Sequence, residues 1–364
     1  MKKALTVLVT APSLAHSKNV SGVSSVVREL IAVLDGKFRF RHLRVGSEQN
    51  PSRFLPARID SVARTVGAFF ICLFGSYDIL HANVALNRKS MMRELLLCVA
   101  ARLRAKPIIL HLHGGTYIEE IPHGTIAWLQ NGLFDMANTI VTLSERERRL
   151  LTARRPDCAS KFRVVYNGTR VPTALDRPKK KPGRIDVVFA GRLVEEKGIA
   201  AIINLGRRIK GTGGIFLHIY GEGNLRPQLE ELADNSSVFY HGIFSPSDRE
   251  KIFNGCDIMI LPSLRGEGMP MVVVEGMAAG VVPVCTQLSS VPEIITDGQN
   301  GVLLSASSGE EMHNVLLALL KDPDHLDRMS TQAHDFARSH LDSSVNMAIF
   351  DGLYRRATNS LSLE

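Results

Sequence analysis

The chain has 364 residues, 45% of them apolar and 22% charged, which excludes a globally disordered chain and exceeds one ordinary core, so two domains of similar size are expected. Its net charge of +8 is unevenly spread: residues 1–170 hold 25 Lys and Arg against 12 Asp and Glu, while the remainder holds 19 against 24. No zinc-finger, RNA-binding aromatic or helix-turn-helix pattern accompanies the basic half, so nucleic acid is not the expected partner; an anionic membrane surface, met through residues 1–170, is favoured over an ordinary basic surface.

The five cysteines (Cys72, Cys98, Cys158, Cys256, Cys285) are scattered without metal-ligand spacing, as reduced thiols of a cytosolic protein are. The longest apolar stretch, 66–74, is far below the roughly 20 residues needed to span a bilayer. The N-terminal MKKALTVLVTAP combines a basic start with a short apolar run and reads as a first buried strand, not an export leader. The expected location is therefore the cytoplasm, peripheral on the inner face of the plasma membrane.

Short apolar runs alternate with amphipathic stretches throughout, the grammar of parallel βαβ units. In the first half, strands are expected at 5–10, 38–45, 78–83, 107–114, 139–144 and 163–168. Helices are expected at 23–34, 58–74, 89–104, 125–136 and, capped by Ser144, at 145–155. Residues 172–184, PTALDRPKKKPGR, read as a linker. The grammar then restarts, with strands at 185–192, 215–223, 237–242, 257–262 and 281–285 and helices at 198–209 and 245–256. Three more helices, 310–320, 325–338 and 343–356, close the chain. The expected division is a first doubly wound domain over 1–171, the linker, a second over 185–342, and a tail over 343–364. Ligands in such sheets bind outside the carboxyl ends of the strands.

The densest chemistry lies in 261–280, LPSLRGEGMPMVVVEGMAAG. A strand feeds a glycine-hinged loop, and Pro270 suits the first turn of a helix. The N–H groups of Met271 and Val272 would then face an anion, the usual position for a diphosphate. Glu267, beside Gly268 and Met269, and Glu275, a turn into the helix, are poor phosphate ligands and better acceptors for sugar and ribose hydroxyls. A loop glutamate and a helix-start carboxylate without function are the bland reading of the same pair.

AGRLVEEKGI (190–199) places Arg192 at a strand end and Lys197 five residues on; two converging cations could neutralise a diphosphate, or merely pair with Glu195 and Glu196. Gly22 precedes the first helix, where bare backbone could approach a phosphate. In HLHGGTY (111–117) the two-residue strand period puts His111 and His113 on one side. Either could bond a sugar hydroxyl, help handle an acceptor proton, or serve as a backbone-bonded structural group. The Gly221-Glu222-Gly223 loop would permit close approach to a base or ribose. The sole Asp-x-Asp, Asp322-Pro323-Asp324, lies far from these motifs and reads as a helix break, so no metal is expected.

Pro262-Ser263, Glu267-Gly268 and Glu275-Gly276-Met277-Ala278-Ala279-Gly280 resemble the signature of retaining glycosyltransferases of family 4. Met269 stands where an aromatic is common and Gly276 where Ala is usual. Gly-Arg-Leu with Glu-Lys-Gly is similar to the same family, as is Ser21-Gly22, which has one glycine in place of two. The resemblance covers nearly the whole chain and is strongest over 186–301. It implies a GT-B fold: two Rossmann-like doubly wound parallel-sheet domains facing across a cleft, the tail crossing back to the first. It also implies transfer of a sugar, UDP- or GDP-linked, to a hydroxyl of a glycan or lipid-linked acceptor in bacterial cell-surface polysaccharide or lipopolysaccharide assembly.

By the same resemblance, Arg192 and Lys197 bind the diphosphate, Glu267 grips the donor sugar, Glu275 the ribose, and His113 lies near the reacting centre. No covalent nucleophile is evident, and the leaving diphosphate itself would help to deprotonate the acceptor. An epimerase or sugar phosphorylase on the same fold, and a non-catalytic nucleotide-sugar-binding protein, are the alternatives.

Overall fold

The computed structural model describes residues 4–15, 21–46, 57–175, 177, 183–245, 248–265 and 267–359. Six of the thirteen residues of the expected linker (176 and 178–182) and Gly266 lie outside the described residues. The chain divides into two compact units, Met1–Gly168 with Ser343–Glu364, and Thr169–Asp342.

The first unit is built on β1 (Thr6–Ala11), α1 (Gly22–Leu34), β2 (Arg39–Arg44), α2 (Ala57–Phe74), β3 (Ile79–Val84), α3 (Arg88–Leu103), β4 (Ile108–Leu112), α4 (Thr116–Glu119), α5 (Gly124–Met136), β5 (Thr139–Thr142), α6 (Glu145–Arg154) and β6 (Phe162–Val164). Its six strands are all parallel, in the order β2-β1-β3-β4-β5-β6. Both faces of such a sheet are covered by crossover helices, so its central strands must be apolar throughout. Accordingly β3 and β4 are buried at every position, and β3 carries His81 and Asn83 inside. Side-chain oxygens at Ser21, Asn87 and Ser144 cap α1, α3 and α6, each accepting from the N–H three residues on.

The second unit contains β7 (Ile185–Ala190), α7 (Ile199–Ile209), β8 (Ile215–Tyr220), α8 (Arg226–Leu232), β9 (Val238–Gly242), α9 (Arg249–Asn254), β10 (Ile258–Leu261), α10 (Met271–Ala278), β11 (Val282–Thr286), α11 (Val291–Ile294), β12 (Val302–Leu304), α12 (Gly309–Lys321) and α13 (Pro323–His340). The order β12-β11-β10-β7-β8-β9, again all parallel, puts β7 next to β10. The chain winds outward from β7 through β8 to β9, then returns to start again at β10. The carboxyl ends of β7 and β10 therefore form the switch point at which a doubly wound sheet opens to ligands. The 343–356 helix of the sequence reading is two helices, α14 (Ser343–Asn346) and α15 (Ile349–Asn359), which pack in the first unit against α1 and β3.

Candidate active site

Two loops meet at the switch point of the second unit. After β7 the chain passes Arg192 and turns through a short 3-10 segment, Glu195–Lys197, into α7. The hinge is Gly198, with φ of +70°; a Cβ there would stand 2.0 Å from the carbonyl oxygen of Pro262, so only glycine lets the β7 loop lie against the end of β10. Leu264 N–H donates to the Glu196 carbonyl at 2.8 Å and binds the same two loops.

This contact brings Lys197 and Glu267 together. The Lys197 ammonium is ion-paired with Glu267 Oε1, and the Ser263 hydroxyl donates to the same oxygen at 2.6 Å. Both side chains are largely buried, at 16% and 7% exposure. Among the described residues Glu267 Oε2 has no hydrogen-bond partner, so it keeps acceptor capacity for a ligand. Arg192 is exposed on the same loop and makes no ion pair with a described carboxylate.

Pro270 is the residue preceding α10, with φ of −71° and ψ of 112°, at the edge of the first turn in which the sequence placed it. The helix therefore begins at Met271. Val273 and Val274 N–H both bond back to the Pro270 carbonyl, at 3.0 and 3.3 Å, and the N–H groups of Met271 and Val272 lead the helix. The side chains of Met269 and Met271 are buried, so those residues can meet a ligand only through backbone; the Gly268 carbonyl is engaged by the Ser290 hydroxyl at 2.8 Å. Gly276 has a packing role. A Cβ there would stand 2.1 Å from Met259 Cε, so glycine lets α10 lie close on β10.

Glu275, in α10, is 9% exposed and paired with Arg249 of α9, Nη1 to Oε1 at 2.5 Å. The Arg249 Nε is buried and has no hydrogen-bond partner among the described residues. Sequence reading missed Arg249 altogether: it lies in a short helix whose expected span, 245–256, shrinks to six residues, and nothing in its neighbours marks it.

The Gly221-Glu222-Gly223 loop lies against the Arg192 loop. A Cβ at Gly221 would stand 1.8 Å from the Gly191 oxygen, and one at Gly223 2.3 Å from that of Leu193, while Leu193 N–H donates to the Glu222 carbonyl at 2.9 Å. These glycines are thus required by approach to a neighbouring backbone. The Glu222 side chain pairs with Arg226 at 2.7 Å. A separate groove of about 620 Å³, lined by Arg184, Asp186, His218, Tyr220, His241 and Lys251 among others, includes none of the donor residues expected from sequence.

In the first unit, Gly22 is the exposed first residue of α1. His113 follows β4, and His111 lies beside it with ring centroids 4.2 Å apart, as the strand period requires. His113 Nε2 bonds Asn83 Oδ1 at 2.6 Å, and Asn83 Nδ2 donates to the Thr10 carbonyl at 2.7 Å. That fixes the tautomer: Nε2 carries the proton and Nδ1 the lone pair. His111 belongs to a second chain, in which Tyr354 of α15 bonds His81 Nδ1 at 2.6 Å and His81 Nε2 bonds His111 Nδ1 at 3.2 Å. Burial pushes His113 down to about 3, burial and the neighbouring His113 push His81 to about 3, and burial holds His111 well below its ordinary value.

Solved structures share this architecture. HepE of Anabaena, solved with UDP and glucose, superposes with a TM-score of 0.71 at 16% identity over 96% of this chain and 99% of that one. Sucrose-phosphate synthase of Thermosynechococcus elongatus does so with 0.76 at 14% identity over 98% and 100%. The two parallel six-stranded sheets with their helices are the two-domain, Rossmann-like α/β GT-B fold. Residues 172–336 match the model of the family described as Glycosyl transferases group 1.

The Salmonella typhimurium protein WcaL, named for colanic acid biosynthesis, is 29% identical over 48% of this chain and 46% of its own length. The lipopolysaccharide core biosynthesis glycosyltransferase LpsE of Rhizobium meliloti is 27% identical over 48% and 52%. The chain thus aligns with about half the length of these two relatives. An uncharacterized glycosyltransferase of Methanocaldococcus jannaschii matches at 21% over 80% and 79%.

Proposed function

We propose that the protein transfers a sugar from a nucleotide-diphosphate sugar to a hydroxyl of a glycan or lipid-linked acceptor, with retention of configuration and without a metal ion. The observation that carries this reading is the Lys197–Glu267 pair at the mouth of the β7/β10 switch point, Glu267 lying four residues before the first residue of α10. A diphosphate set against the Met271 and Val272 N–H groups would meet Lys197 and Arg192 as counter-charges. It would need no other cation as negative charge grows on the leaving group.

Glu267 holds Lys197 through one oxygen and offers the other to a donor-sugar hydroxyl. Glu275, held by Arg249, takes the ribose. Within the second unit the Gly221-Glu222-Gly223 loop, packed on the Arg192 loop, would bound the nucleotide. His113, neutral and with Nδ1 as acceptor, suits hydrogen bonding to a sugar hydroxyl; a group with a pKa of about 3 is too weak to take a proton near neutrality. The leaving diphosphate is the better base.

The names of the relatives, in colanic acid and lipopolysaccharide core biosynthesis, support cell-surface polysaccharide assembly as the setting. Thermal shift with UDP, GDP and ADP and then their sugars identifies the donor. Turnover with acceptor, with the product anomer assigned by NMR, separates transfer from epimerisation, phosphorolysis and silent binding. Wild-type protein stabilised by no nucleoside diphosphate would end this reading.

A further inference from the structure

We propose that the outward faces of α2 and α3 form a docking ridge that lies in the interface of an anionic lipid bilayer. The uneven charge of the sequence favoured an anionic membrane as the partner of residues 1–170; the structure supplies an apolar surface for that charge to serve. From residue 61 on, the exposed positions of α2 are Val62, Ala63, Val66, Gly67, Phe70, Ile71 and Phe74, all of them apolar. Val62, Val66, Phe70 and Phe74 recur every fourth residue, one stripe along the helix. The rings of Phe70 and Phe74, 52% and 75% exposed, stack with centroids 6.1 Å apart. On α3, which packs beside α2, Met92, Leu96 and Leu103 are exposed as well. A solvent-facing helix normally reverses this pattern, and contiguous apolar surface of this kind marks an interaction site.

The charges around the ridge say what covers it. Exposed Arg88 and Lys89 begin α3 and exposed Arg102 ends it, while Arg104 reaches the Gly75 carbonyl just beyond Phe74. Across residues 61–118 there are seven Lys and Arg and two acidic residues, Asp78 and Glu94. Asp78 accepts from the Thr6 N–H at 2.7 Å, and Glu94 is fully buried against Arg93 and Thr10. Within residues 61–118, therefore, neither carboxylate is a free outward-facing charge.

A second copy related by a two-fold axis would set these cations against themselves, which a self-complementary interface avoids. A bilayer with acidic headgroups instead takes the apolar stripe and neutralises the cations. At 18 residues, with no helix among the described residues long and apolar enough to cross a membrane, α2 would lie in the interface and not span it.

The test is co-sedimentation of the full chain with phosphatidylcholine vesicles, with and without phosphatidylglycerol, at low and high salt. Binding is expected only with phosphatidylglycerol and is expected to weaken with salt. Phe70→Glu with Phe74→Glu, and separately Arg88→Glu with Lys89→Glu, should each lower partitioning about tenfold or more. Val345→Glu, exposed on α14 away from the ridge, should leave it unchanged. Unaltered fluorescence of Trp128, the sole tryptophan, and an unaltered nucleotide thermal shift verify that the variants are folded.

Absence of pelleting, equal binding to neutral vesicles, or a dimer on gel filtration that Phe70→Glu and Phe74→Glu dissociate would each overturn the proposal. The nucleotide measurement is independent of lipid, so failure of the transferase reading and failure of the ridge are separate results.

Discussion

Arg249 Nη1 lies 2.5 Å from Glu275 Oε1, joining the helix before β10 to the helix after it. The carboxylate is almost buried, and Arg249 is the cation that makes its charge tolerable there. Removing the cation takes a charged partner from a nearly buried carboxylate, which costs more than the pair contributes. Because Arg249 is 23% exposed, solvent recovers part of that cost, and Arg249→Met should destabilise the protein by about 2 kcal/mol. If Glu275 binds ribose, the same variant should weaken nucleotide binding at least tenfold, whereas Arg249→Met combined with Glu275→Gln should regain stability but not affinity. Calorimetric titration with the nucleotide found by thermal shift checks both.

Lys197 and Glu267 make a separable prediction. In the free protein Lys197 is held by the Glu267 carboxylate, so a diphosphate must compete for the ammonium. Glu267→Gln relieves that competition and removes the acceptor proposed for the donor sugar. Affinity for the bare nucleoside diphosphate should hold or rise, affinity for the nucleotide sugar should fall, and kcat should fall about a hundredfold or more. Equal loss for both ligands would show that Glu267 merely holds the loop.

The histidine pattern sets a pH dependence of stability. His81 and His113 titrate in the folded protein near 3, and an unfolded histidine near 6.5. Between those values the unfolded chain binds protons that the native one refuses, so stability is full above about pH 6.5 and falls as pH falls towards 3. Each such histidine contributes about 1.4 kcal/mol per pH unit within that window. Tm should decline from pH 7 to pH 5, before most carboxylates titrate, and the decline should shrink in His81→Asn. A flat Tm across that range would contradict the buried, neutral assignment.

Gly221 tests the loop packing. Its φ of +145° and the 1.8 Å approach to the Gly191 oxygen forbid a side chain, so Gly221→Ala must displace the loop bearing Arg192. A stability loss of about 2 kcal/mol and a fall in kcat are expected, with no effect of the same size from Gly213→Ala, where a Cβ meets nothing within 4 Å. Thermal melts and steady-state rates of the two variants decide it.

The sequence by itself determined the parallel α/β architecture, because apolar runs of strand length alternating with amphipathic helices have one economical packing. It marked Lys197, Glu267 and Glu275 through the resemblance of the segments around them to a known glycosyltransferase signature. Short elements without periodicity escaped it, such as α8 and α11, and so did the break between α14 and α15.

Only the tertiary structure could decide which charged groups meet. Lys197 finds Glu267 seventy residues away, Glu275 is held by an arginine no motif flags, and His81 reaches Tyr354 across 273 residues. Such pairs are set by strand order and register, which local sequence does not encode. The apolar ridge on α2 was likewise invisible, since a periodic stripe shows that a helix has an apolar face but not whether the fold covers it.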